Sequence, residues 1–136
     1  MLSEVIFPRF SVALLALAAL FAVGPAAAET LRGRLANPGG NEPLRLIGLD
    51  GASIELAADE SLERTMRDPQ LATRLWELRG QLQPDGRLAV ERIFTVKDGQ
   101  LHRVTYYCVI CHITTHEPGR CMCCQGDTDL REIPGE

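Results

Sequence analysis

All five cysteines of this 136-residue chain lie in its last third, from Cys108 to Cys124. Four of them form two Cys-x-x-Cys pairs, Cys108 with Cys111 and Cys121 with Cys124. The turn inside such a pair aims both sulfurs at one point, and two facing pairs supply the four thiolates of a tetrahedral zinc site. We therefore predict a metal site whose ligands are Cys108, Cys111, Cys121 and Cys124, with zinc as the expected ion.

The motif Cys108-x-x-Cys111-His112 also permits a second reading. It is the attachment signature of a c-type haem, in which the cysteines form thioethers and the histidine binds iron. The sixth iron ligand would then be Met122, His116 or His102. A haem needs an extensive apolar pocket, however, whereas the residues after His112 are mostly polar.

Two disulfides with one free thiol are a third alternative, because exported thiols tend to oxidise. No cysteine lies between residues 29 and 107. Disulfides that support a fold usually close long loops throughout it, so this confinement favours a local site. Cys123 is left without an assigned role: it could replace a neighbour as ligand, bind a second ion or pack as a small hydrophobe.

Two stretches of the segment match the motifs of a known family. Residues 106–112 read Tyr-Tyr-Cys-Val-Ile-Cys-His, and residues 118–125 read Pro-Gly-Arg-Cys-Met-Cys-Cys-Gln. They resemble the heavy-metal-binding, zinc-ribbon-like domain of periplasmic copper and silver efflux adaptors, which reads Tyr-x-Cys-Pro-Met-His-Pro and then Pro-Gly-x-Cys-Pro-x-Cys-Gly-Met. The resemblance runs to Leu130 and implies metal binding in the periplasm.

The chain departs from that family at several positions. Both Cys-Pro prolines are absent, Ile110 stands in place of the first methionine, and Cys111 stands where the family has its histidine. Gln125-Gly126 replaces Gly-Met. Because thioethers suit soft monovalent ions, the loss of the methionines favours zinc and leaves copper as the alternative.

Residues 1–28 are typical of a secretory signal peptide. Arg9 precedes an apolar run over residues 11–23, and Gly24-Pro25 is followed by three alanines of the kind that a signal peptidase accepts. We therefore predict an exported, periplasmic protein. The alternative is a membrane anchor over residues 11–28 that is not cleaved, although the apolar run is shorter than the ~20 residues a span needs.

The composition and charge of the chain exclude some classes of function. The chain has a net charge of -4 and is 46% hydrophobic, which is ordinary for one globular domain. Its arginines alternate with acidic residues, so we expect no positive face for nucleic acid. No Ser/His/Asp set, paired carboxylates or glycine-rich phosphate loop is recognisable. We predict a non-enzymatic protein whose partner is a metal ion, with a protein partner left open.

Hydrophobic periodicity predicts the elements before the cysteines. Period-two patterns indicate strands over residues 31–35, 44–49, 53–57, 76–83, 87–97 and 100–107. In the fourth of these strands, Trp76, Leu78 and Leu82 are expected to face one way. Apolar residues four apart over residues 61–75 indicate a helix, which Asp68-Pro69 kinks or divides into two pieces.

Residues 30–107 resemble the OB-fold in element order, which is three strands, a helix and then two or three further strands. We predict a mainly β protein: an OB-like barrel of five to six strands with one helix over residues 29–105, then a Cys-rich, zinc-ribbon-like knob over residues 106–136. Another small barrel or an α+β sheet is the alternative. The fold assigns no function by itself, and with 5% aromatic residues a base-stacking platform is not expected.

Overall fold

The computed structural model describes residues 26–136, so the predicted leader lies outside the described residues except for its last three. These residues form eight strands: β1 Ala27–Ala36, β2 Arg45–Gly48, β3 Ser53–Ala57, β4 Leu75–Leu82, β5 Leu88–Lys97, β6 Gln100–Cys108, β7 Ile113–Thr115 and β8 Asp129–Pro134. Helix α1, Glu60–Met66, and a 3-10 turn, Pro69–Leu71, lie between β3 and β4. None of the described helices is long and apolar enough to cross a membrane.

The first five strands pair in a ring. Strand β1 pairs antiparallel with β2 and with β4, β2 pairs with β3, and β4 pairs with β5. Strands β3 and β5 run parallel and join through Leu56 with Leu88 and Ala57 with Ala89. That closing contact is only these two residue pairs long. The ring order and the helix between β3 and β4 give the predicted mainly β, OB-like architecture.

The division of the helical region follows from two aspartates. Asp59 accepts a hydrogen bond from the backbone N–H of Leu62 at 2.8 Å and so caps α1. Asp68 accepts one from the N–H of Gln70 at 2.9 Å, with Pro69 as the first residue of the 3-10 turn. The predicted break at Asp68-Pro69 is confirmed. The predicted continuation of helix to Leu75 is wrong, because β4 begins at that residue.

A tight turn fixes the position of β6, the strand that leads to the cysteines. Asp98 and Gly99 have φ values of 49° and 75°, as a two-residue type I′ hairpin turn requires. Lys97 therefore pairs with Gln100, and Thr95 pairs with His102. This register aims alternate β6 residues, Val104 and Tyr106, at the core.

The core of the ring is mainly apolar and includes a buried hydrogen bond between Tyr106 and Asp68. Trp76 and Leu78 are fully buried, whereas Leu82, which was predicted to face the same way, is 36% exposed because it is the last residue of β4. Tyr106 is 1% exposed, and its hydroxyl donates a hydrogen bond to Asp68 Oδ2 at 2.5 Å. Burial, followed by this contact with Asp68, raises the pKa of Tyr106.

Strands β7 and β8 extend the sheet beyond the ring. Strand β6 pairs with β8 from His102 to Tyr107 and with β7 from Tyr106 to Cys108. The Cys-rich segment is therefore joined to β6 through both strands. The predicted boundary between residues 105 and 106 falls inside that strand.

Glu132 ties β8 to the ring. Its carboxylate lies 3.0 Å from Arg74 Nε and 2.5 Å from Lys97 Nζ, and its side chain is only 6% exposed. Burial raises the pKa of Glu132, but the hydrogen bonds from Arg74 and Lys97 outweigh it and lower the pKa to about 2.

Because Arg74 and Lys97 lower the pKa of Glu132, the stability of the fold should depend on pH in the acidic range. Because the folded-state pKa of Glu132 is lowered from 4.5, its contribution is complete above about pH 4.5 and disappears as the pH falls through about 2. The contribution is up to about 3 kcal/mol. Urea unfolding of the native chain and of Glu132→Gln between pH 2 and 6 should give free energies that differ most above pH 4.5. A difference between the two unfolding free energies that stays constant from pH 2 to 6 would contradict this role.

Candidate metal centre

The first Cys-x-x-Cys turn connects β6 to β7. Residues Cys108–His112 form what we term the first knuckle. The backbone N–H of His112 donates to the carbonyl of Cys108 at 2.9 Å, and the N–H of Cys111 donates to the Cys108 sulfur at 3.4 Å. His112 has a φ of 56°, in the left-handed region, which turns the chain back so that Ile113 pairs with Cys108.

The second knuckle, Cys121–Gln125, repeats this geometry. The N–H of Gln125 donates to the carbonyl of Cys121 at 2.9 Å, and Gln125 has a φ of 58°. The N–H of Gly126 donates to the Cys124 sulfur at 3.4 Å. The two turns, distant in sequence, thus have the same backbone hydrogen bond, and each has a left-handed residue directly after its second cysteine.

The left-handed residue of the second knuckle can be tested by substitution. Gln125→Gly should keep the metal and raise the stability of the metal-loaded protein by up to about 1 kcal/mol, since glycine adopts positive φ without a Cβ clash. Gln125→Val should lower it by a similar amount or more, because a β-branched residue fits this region poorly. Thermal unfolding and chelator competition measure both effects. Equal behaviour of the two variants would contradict the turn assignment.

The two knuckles bring four sulfurs together. The Sγ atoms of Cys108, Cys111, Cys121 and Cys124 all lie within 4.8 Å of one another. The Cys108 and Cys124 sulfurs are 3.6 Å apart. Four sulfurs about 2.3 Å from a zinc ion at tetrahedral corners would be about 3.8 Å from each other, so the observed cluster has the size of a shared ligand sphere.

All five cysteines are free thiols in the structure. The 3.6 Å between Cys108 and Cys124 is far beyond the ~2.05 Å of a disulfide bond. The structure thus has no disulfide among the five cysteines, and the four predicted ligands converge.

The site is buried on one side and open on the other. Cys108 and Cys121 are each 1% exposed, whereas Cys124 is exposed. Hydrogen bonds from the backbone amides of Cys124 and Cys123 lower the pKa of the Cys121 thiol to about 7. Backbone donors of this kind stabilise a thiolate, the form in which sulfur binds metal.

Cys123 stands beside the cluster. It is exposed and does not belong to the four mutually close thiols. Its thiol contacts Cys111, and this contact is the main cause of a raised pKa for Cys111. The structure thus provides a fifth sulfur next to the site, outside the tetrahedral set.

The side chains that would bind a haem iron contact other groups or solvent. His112 Nδ1 is 2.6 Å from the Tyr107 hydroxyl, and His102 Nδ1 is 3.1 Å from the carbonyl of Gln100. Met122 is 75% exposed. Within the described part of the chain, the close-packed group consists of four cysteines without a histidine. Cys108 and Cys111 face two further thiols, so the arrangement favours ion coordination over thioether attachment.

Two supports of the site could not be read from the sequence. Arg131 of β8 places its guanidinium 3.8 Å from the centre of the Tyr107 ring, whose hydroxyl contacts His112 of the first knuckle. The hydroxyl of Thr65 on α1 donates to the carbonyl of His116 at 2.9 Å.

Comparison with known protein families, with curated protein sequences and with solved structures found no match to this chain. What can be said of function therefore rests on the geometry of the four sulfurs.

Proposed function

We propose that this chain is an exported, non-enzymatic protein that holds one zinc ion through Cys108, Cys111, Cys121 and Cys124, and that the ion shapes a surface for a protein partner. The observation that carries the proposal is the convergence of the four sulfurs to within 4.8 Å. The matching geometry of the two knuckles supports it, because each presents its cysteine pair to the same point.

We assign the ion a structural role because little else orders the Cys-rich segment. Between residues 109 and 128 the only buried residue is Cys121, itself a ligand. A stretch with no apolar core of its own cannot offset the entropy of ordering, so the metal takes the place of that core. Zinc suits four thiolates, and Met122, the methionine of the second knuckle, is 75% exposed to solvent.

The exposed middle residues of the knuckles support partner recognition. Val109 is 55% exposed, Ile110 71% and Met122 75%. These apolar side chains occupy the positions between the cysteines of both turns, so the ion that fixes the turns also fixes them. A partner with an apolar contact surface would fit this tip.

Native mass spectrometry and elemental analysis of the protein purified from a periplasm test the proposal together. We expect one zinc per chain, a colourless sample and, after denaturation, five reactive thiols. A metal-free protein whose mass is lower by four hydrogens would contradict it and indicate two disulfides. A red sample with a Soret band would instead indicate a c-type haem.

Copper handling is the second candidate, and Cys123 is the observation that favours it. A fifth, exposed thiol in contact with Cys111 gives soft copper(I) an additional sulfur ligand. Copper found by elemental analysis, and lost in Cys123→Ser, would support this candidate over a zinc site that needs only four sulfurs.

A further inference from the structure

A cleft of about 210 Å³ opens where β5 and β6 diverge. The two strands pair only between Thr95–Lys97 and Gln100–His102, next to their hairpin turn. Beyond this point β6 pairs with β8 on its opposite edge, and β7 takes up the edge facing β5 only from Tyr106, so residues 103–105 of that edge have no strand partner. The floor of the cleft consists of Leu62, Ile93 and Val104, which pack against or belong to the core.

The rim of the cleft is cationic. Arg92 and Arg103 are exposed, and His116 lies on the side nearest the Cys-rich segment. Between them Phe94, only 2% exposed, lies on the outer face of β5 with the Arg92 guanidinium 5.1 Å from its ring centre. The cleft therefore combines an apolar floor and an aromatic wall with two positive charges at its mouth.

These two charges are not held in ion pairs within the described residues, although Arg92, after Arg79, helps to lower the pKa of the Glu136 carboxyl. Arg92 and Arg103 form no ion pair there, whereas most of the other arginines do. Two carboxylates beside the rim are already engaged: Glu136 lies 2.7 Å from Arg79, and Glu117 lies 3.7 Å from Arg64. In a chain with a net charge of -4, two free arginines flanking one cleft indicate an external anion.

We propose that this cleft binds a small organic carboxylate that carries an apolar group. The planar guanidinium fork matches a carboxylate with two parallel hydrogen bonds, so Arg92 and Arg103 would hold the charged end. The apolar end would lie on Ile93 and Val104. Because the volume is below the ~300 Å³ of sites for drug-sized ligands, the ligand is compact. The site is separate from the metal and does not depend on its identity.

Benzoate and its neutral counterpart benzamide are suitable probes. Added to the metal-loaded protein, benzoate should shift the backbone amide NMR signals around Ile93 and Val104, with a Kd of about 1 mM. Benzamide has the same ring without the charge and should bind at least about tenfold more weakly. Equal affinity for the two probes, or no shifts at the cleft up to about 20 mM benzoate, would overturn the proposal.

Substitutions on the rim complete the test. Arg92→Gln and Arg103→Gln should each weaken benzoate binding at least about fivefold, since each removes a charged donor from an exposed position. Arg45→Gln is the matched control, because Arg45 is an exposed arginine of β2, which pairs with neither β5 nor β6. Loss of binding in the control to the same degree would show a general charge effect and overturn the assignment.

Discussion

Replacing Cys124 with serine is expected to lower zinc affinity at least about a hundredfold, whereas replacing its neighbour Cys123 should leave zinc affinity unchanged. Both cysteines are exposed, so neither substitution disturbs the core. They differ in that the Cys124 sulfur belongs to the cluster and lies 3.6 Å from that of Cys108, whereas Cys123 lies outside the set of four. Competition with a zinc chelator measures both affinities.

The same two variants also test whether the metal orders residues 109–128. Since Cys121 is the only buried residue between residues 109 and 128, metal loss in Cys124→Ser should raise hydrogen exchange across that stretch while β1 to β5 stay protected. Cys123→Ser should match the native pattern. Undiminished zinc binding in Cys124→Ser, or equal losses in both variants, would contradict the assignment of ligands.

Tyr106→Ala is expected to destabilise the protein by about 3 to 5 kcal/mol, in the range of large aromatic truncations. Tyr106 is 1% exposed, and its hydroxyl contacts Asp68, which is itself only 5% exposed. It also lies two residues before Cys108 on β6, so its loss should weaken the ring and the metal site together. Urea unfolding and zinc titration of the same variant measure the two effects.

Tyr106→Phe separates packing from the hydrogen bond. It keeps the ring but leaves the buried Asp68 carboxylate with the Gln70 N–H and without the phenol, so a loss of about 1 to 2 kcal/mol is expected. Zinc binding should stay unchanged, because β6 keeps its position. A Phe variant as unstable as the Ala variant would show that the Asp68 contact, and not packing, dominates.

Local patterns predicted most strands of the ring and the grouping of the four cysteines. The turn at Asp98-Gly99 and the break at Asp68-Pro69 are encoded by neighbouring residues, and the structure contains both. The convergence of the four cysteines could likewise be predicted, since the spacing of each pair constrains its own turn.

What the sequence did not reveal depends on distant partners. The burial of Glu132 depends on Arg74 and Lys97, which are distant in sequence and which help to hold β8 in addition to its pairing with β6. The left-handed residues of the knuckles are a histidine and a glutamine, in place of the glycine that would have indicated positive φ. The exposure of Leu82 reflects its place at the end of β4, which period-two alternation alone does not show.

X-ray absorption at the zinc edge of the purified protein tests the central claim most directly. The account predicts a single shell of four sulfurs about 2.3 Å from the ion, with no nitrogen or oxygen ligand. A shell that mixes sulfur with nitrogen, or a protein that carries no bound metal and no free thiols, would contradict it.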